Sequence, residues 1–126
     1  TTDTCAVHVR GGDIVGPGRA FFERALVRME KERPGLRYLV FTNDKEAAKE
    51  ALEGEHTERK MTYISELGAF SDIDEFFLMA ACQNQIISNS SYSTWAAYLN
   101  PNPEKVVIMP EYKGCEQIRL KEWIVL

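Results

Sequence analysis

Hydrophobic and polar positions along this chain switch repeatedly between strand and helix spacing. Residues 5–10, Cys-Ala-Val-His-Val-Arg, alternate and end in Gly11-Gly12-Asp13, which predicts a short inner strand that delivers Arg10 into a glycine turn. Apolar side chains then recur at helical spacing over 19–30, and Pro34-Gly35 stops that helix. The continuous apolar run at 38–41 suits a parallel strand covered on both faces, and Thr42-Asn43-Asp44 ends it before a helix over 45–52. A short strand over 61–64 leads to Ser71-Asp72-Ile73-Asp74-Glu75, a capping sequence before a helix through Cys82. Next comes a buried-looking strand at 85–88, a hydroxyl-rich turn over 89–94, and a helix starting at Trp95. Asn100-Pro101-Asn102-Pro103 is a hard stop, and 105–109 predicts a last inner strand closed by Pro110.

Five short strands separated by four helices predict an α/β fold, a three-layer Rossmann-like parallel sheet with helices on both faces. The 126 residues match one globular domain with a single core. The chain starts without Met and enters a strand almost at once, as expected of a domain that is part of a longer polypeptide.

In such sheets, ligands bind beyond the carboxyl ends of the strands, near the switch in strand order. Three polar clusters follow strands and are expected to converge there: Arg10 to Asp13, Thr42 to Asp44, and Asn89 to Thr94. The last places four hydroxyls within five positions at a helix start, where backbone N–H groups and the helix dipole favour an anion, although a serine N-cap needs only one of them. Arg10 offers planar paired donors that match phosphate oxygens; its structural alternative is a pair with Asp13. Asp44 suits ribose hydroxyls or the ring N–H and amino groups of guanine, or else caps the following helix.

Composition narrows the partners. The net charge of −4 and the scattering of basic residues among acids exclude a nucleic-acid-coating surface. With 44% hydrophobic and 27% charged residues the chain is neither disordered nor membrane-spanning, since its longest apolar runs fall far short of the roughly 20 residues that span a bilayer. Cys5, Cys82 and Cys115 lack C-x-x-C spacing, so neither a zinc site nor a disulfide framework is indicated, and Cys5 and Cys82 read as core residues. Asp72-Ile73-Asp74 matches the D-x-D pattern that holds a divalent ion on a diphosphate, but its place before a helix favours capping. His56, in a polar loop, reads as solvated; Trp95 and Tyr98 read as helix residues packed on the sheet, and Trp123 as part of a terminal element covering an edge. The glycine segment 11–18 does not fit G-x-G-x-x-G, which weighs against a dehydrogenase or methyltransferase.

His8-Val9-Arg10-Gly11-Gly12-Asp13, Phe41-Thr42-Asn43-Asp44, Phe77-Leu78-Met79-Ala80-Ala81-Cys82, the stretch 86–99 with its Asn89-Ser90-Ser91-Tyr92-Ser93 centre, and Val107-Ile108-Met109-Pro110 together resemble the ordered motifs of α-1,2-fucosyltransferases. The resemblance implies the nucleotide-sugar-binding, C-terminal half of a two-domain GT-B-like enzyme, which moves fucose from GDP-L-fucose to a galactoside hydroxyl with inversion. It implies that Arg10 holds the diphosphate as the catalytic residue, with Ser90, Ser91 and Ser93 lining its other side, His8 and Asp44 on the guanosine part, and Asp13 and Asn89 among the substrate-binding residues. It further implies a nucleotide-sugar donor, a glycan acceptor, no metal, no other cofactor, no nucleic acid, and a second domain in cis preceding these residues; any membrane association would reside in parts outside them. Where Gly11 stands the family usually carries a second arginine, so the alternative is a non-catalytic or divergent nucleotide-binding Rossmann-like domain.

Overall fold

A computed structural model describes residues 3–10, 18–52, 59–64 and 70–126. Its elements run β1 (Thr4–Val9), α1 (Arg19–Glu32), β2 (Arg37–Thr42), α2 (Lys45–Leu52), β3 (Lys60–Tyr63), α3 (Asp72–Ala81), β4 (Asn84–Ile86), α4 (Ser91–Leu99), β5 (Val107–Met109), a 3-10 turn (Cys115–Gln117) and β6 (Ile124–Val125). The strands form one sheet in the order β3-β2-β1-β4-β5-β6, and every pairing is parallel. This is the Rossmann-like α/β sheet that the alternation of elements predicts, with one strand more than the five expected. The added β6 pairs with β5 through Ile108↔Ile124 and Met109↔Val125. Two residues are too short for a periodic signal, which is why this edge strand is invisible in the sequence.

All six residues of β1 are buried, as a central parallel strand requires. Alternation then sorts their side chains between two layers. Cys5, Val7 and Val9 join Tyr38, Val40 and the α1 residues Phe22, Ala25, Leu26 and Met29 on one face. Ala6 and Phe41 meet Met79, Ala80 and Ala96 of α3 and α4 on the other. A third cluster, with Ala97, Met109 and Trp123, fills the space under the β5 end of the sheet. Cys5, Cys82 and Cys115 are buried free thiols. Among the described residues no helix is long and apolar enough to cross a membrane.

Two of the element starts that differ from the sequence pattern are explained by specific hydrogen bonds. Strand β4 opens at Asn84, one residue before the expected apolar run, because its buried amides find backbone partners. Asn84 Nδ2 donates to Thr4 O at 3.3 Å and its Oδ1 accepts from Val106 N at 3.0 Å. Gln85 Nε2 donates to Met79 O and Cys82 O at the end of α3, while its Oε1 accepts from Asn100 Nδ2 at 2.9 Å. Helix α4 starts at Ser91, four residues before Trp95, because Ser90 accepts the Tyr92 N–H on its hydroxyl at 3.2 Å and so caps the helix. Most of the expected hydroxyl-rich turn is therefore the first helical turn. Trp95 does not pack on the sheet: it is 59% exposed.

Candidate functional site

Between β1 and β4 the sheet reverses its strand order, and there the loops leaving the two strands diverge into a crevice. The crevice encloses about 280 Å³ and is lined by His8 near the end of β1 and Arg10 just after it, Phe41 and Thr42 at the end of β2 and Asn43 just after it, Asp72 and Glu75 of α3, and Ser90 and Tyr92 at the start of α4. Residues from all three polar clusters of the sequence thus meet in one place. Arg10 Nη1 donates to Ser90 Oγ at 3.3 Å, so the guanidinium lies directly beside the N-terminus of α4. A half-buried cation next to the positive end of a helix makes a locally positive floor in a chain of net negative charge.

His8 forms one wall. Its Nδ1 is 2.7 Å from Ser88 Oγ, and its ring stands 5.5 Å from that of Tyr92. Burial, reinforced by the nearby Arg10 charge, lowers its pKa from the ordinary 6.5 to about 4, so the imidazole is neutral near pH 7. Tyr92 in turn donates its hydroxyl to Asp72 O at 3.0 Å and packs edge-on against Phe76, which ties α3 to α4 at the crevice mouth. Burial, then Glu75 and Asp72, raises the Tyr92 hydroxyl to about 12, so it stays protonated.

The remaining sequence-predicted residues have other surroundings. Ser93 is fully buried; its hydroxyl donates to Ser90 O, lies 3.4 Å from Ser88 Oγ, and accepts from Ser88 N at 3.3 Å, which knots the β4–α4 loop from inside. Thr94 donates to Ser90 O at 2.8 Å. Ser91 is exposed and lines a different groove. Asp44 caps α2, with Oδ1 accepting from Ala47 N at 3.1 Å, and is absent from the crevice lining among the described residues. Asn89 sits half-buried in the loop before α4. Asp13, Gly11 and His56 lie outside the described residues.

Three lining residues escaped the sequence reading. Asp72 and Glu75 read chiefly as a helix cap, with Asp72 weighed otherwise only as part of a D-x-D metal pattern, and Ser71 Oγ does accept from Asp74 N at 3.2 Å, yet the same first turn lines the crevice. Tyr92 lies inside the most specific motif, but only the seating of α4 beside His8 gives it a position. Among the described residues no group of three or more acidic, histidine or cysteine side chains is placed to hold a metal ion.

The strand order and the guanidinium-bearing crevice at its switch point define a Rossmann-like α/β domain with a crevice at the carboxyl ends of β1, β2 and β4. The chain belongs to Glycosyl transferase family 11, whose profile matches residues 1–126. It is 30% identical over 120 residues to the O-antigen biosynthesis glycosyltransferase WbnK of Escherichia coli, an alignment covering 86% of this chain and 38% of that protein. The chain therefore spans well under half the length of this relative. No solved structure matches it significantly.

Proposed function

We propose that this domain holds GDP-L-fucose in the β1–β4 crevice and serves the inverting transfer of fucose to a galactoside hydroxyl, as the nucleotide-sugar half of a two-domain, GT-B-like enzyme. The observation that carries the reading is the 3.3 Å contact of Arg10 with Ser90 at the start of α4, which sets a cation beside a helix N-terminus on the crevice lining. A diphosphate there receives a forked guanidinium from one side and backbone N–H groups from the other. Asp72, Glu75 and Asn43, on the same lining, offer acceptors suited to the ring N–H and amino group of guanine. Family membership supports a sugar-transfer role, and the relative's name, an O-antigen biosynthesis glycosyltransferase, supports a glycan as acceptor.

In the transfer, the acceptor oxygen forms a bond to fucose C1 as the bond from C1 to the β-phosphate oxygen breaks. The electron pair leaves on GDP and the hydroxyl proton passes to a base. Negative charge grows on the departing diphosphate, so donors fixed around it stabilise the transition state more than the bound substrate. No divalent ion is assigned to the site; Arg10 and the α4 amides are given that work.

The test is transfer by the full-length protein from GDP-L-fucose to lactose in the presence of a chelator, followed by mass spectrometry and NMR of the product. A fucosylated lactose with inverted anomeric configuration is expected, and transfer only from a different nucleotide sugar would overturn the donor assignment. A second reading, donor binding without transfer, is favoured by Gly11 in place of a second arginine. GDP binding with no product in that assay would identify it.

A further inference from the structure

Helix α4 separates two cavities. Ser90 and Tyr92 face the Arg10 crevice, whereas Ser91, Thr94, Trp95 and Tyr98 line a groove of about 550 Å³ whose far side includes Tyr112 and Gln117, beyond β5. The two are chemically unlike. The crevice carries Arg10, Asp72 and Glu75; the groove is lined by no charged side chain among the described residues. A charged ligand would lose water there without gaining a counter-charge, so the groove suits a neutral one.

The aromatic residues of the groove form a braced stack. Trp95 meets Tyr98 edge-on, with centroids 5.5 Å apart, and Tyr98 lies 5.0 Å from Trp123, which is 2% exposed and rooted in the core. The Tyr98 hydroxyl donates to Ile118 O, which ties the ring to the segment after β5. Trp95 is thereby held from behind while more than half of its surface stays in water. The indole thus presents an uncovered aromatic face beside the groove, braced at its edge by Tyr98. Around it stand the Ser91 and Tyr112 hydroxyls and the Gln117 amide. A flat apolar face rimmed by neutral donors and acceptors complements a pyranose, whose C–H face lies on the ring while its hydroxyls meet the rim. The volume falls within the range of roughly 300–1,000 Å³ usual for small-ligand sites.

We propose that the Trp95–Tyr98–Tyr112 groove is a carbohydrate-binding subsite that takes a neutral pyranose unit of a glycan. Consecutive residues, Ser90 and Ser91, face the two cavities, so a sugar in the groove lies across one helical turn from whatever the Arg10 crevice holds. Its pairing with a sugar donor rests on the function proposed above; sugar binding by the groove itself does not.

Saturation-transfer NMR on the full-length protein tests this, with lactose, N-acetyllactosamine and methyl α-D-galactopyranoside as probes and GDP as a separate ligand. Sugar C–H protons should receive saturation, and Trp95→Ala should raise the half-saturating sugar concentration about tenfold, the loss of one aromatic face, while GDP binding stays as it was. Tyr112→Ala should weaken the sugar in the same direction, and Arg10→Ala should weaken GDP alone. Loss of GDP binding with sugar binding intact would sink the donor reading and leave the groove assignment standing. The groove assignment is overturned if none of the three sugars binds, if Trp95→Ala leaves their binding unchanged, or if Trp95 in the full-length protein is shielded from iodide quenching, which would mean that another part of the polypeptide fills the groove.

Discussion

His8 Nδ1 and Ser88 Oγ, eighty positions apart in the chain, meet at 2.7 Å just where the β1–β4 ladder ends. Arg10 and Ser90 meet at 3.3 Å with the same separation of 80. The backbone register of the two strands, Cys5↔Asn84 through Val7↔Ile86, pairs residues 79 apart, and beyond the last paired residues it gives way to two side-chain rungs offset by one position. The first rung is buried and fixes the loops; the second opens onto the crevice.

The first rung makes stability depend on pH. Folding lowers the His8 pKa from 6.5 to about 4, so between those values the unfolded chain binds the extra proton and stability falls as the pH falls. A shift of this size corresponds to about 3 kcal/mol once the pH is below 4. Urea unfolding at intervals between pH 7 and pH 4 should show the loss, and His8→Gln should remove most of the difference between the two ends. Equal slopes in the two proteins would mean that His8 is not the group responsible.

Arg10 is expected to matter for ligand and not for fold, because its guanidinium is half-buried at the crevice and meets a hydroxyl rather than the core. Arg10→Ala should lower the transfer rate about a hundredfold, roughly 3 kcal/mol, with an unchanged circular dichroism spectrum. Arg10→Lys should recover only part of this, since an ammonium cannot fork.

Two serines of one motif should separate by phenotype. Ser90→Ala removes the α4 cap and the partner of Arg10, so it should cost about 1 kcal/mol of stability and also weaken GDP binding. Ser93→Ala leaves the buried Ser88 N–H short of an acceptor and should destabilise by about 1–3 kcal/mol with GDP affinity retained in the folded fraction. Calorimetric titration of both variants with GDP, beside thermal melts, checks the contrast.

Asp44 should behave as a helix cap. Asp44→Ala is expected to lose about 1 kcal/mol, whereas Asp44→Asn keeps an oxygen for the Ala47 N–H and should be nearly neutral. GDP titration of Asp44→Asn is the discriminating measurement, since a clear loss of affinity there would place the carboxylate on the nucleotide.

Much of the architecture was legible because it follows from local pattern. Continuous apolar runs such as 38–41 fit strands covered on both faces, the 19–32 helix shows its stripe, and Pro34-Gly35 ends it with Gly35 at φ +81°, a conformation that glycine adopts without strain. Boundaries failed where a partner distant in sequence decides them. Asn84 looks like a loop residue until Thr4 and Val106 satisfy its amide. Trp95 looks like core until the seating of α4 turns it outward, and β6 exists only because β5 offers it an edge.

By itself the sequence determined the element types, the parallel α/β class and the set of polar clusters at strand ends, since periodicity, caps and turn residues act over a few neighbouring positions. Tertiary structure alone decided which hydroxyl faces what: Ser90 the guanidinium, Ser93 the interior, and Ser91 a second groove. Those outcomes depend on strand order and helix rotation, which are settled by burial across the whole domain and leave no local trace in three neighbouring serines.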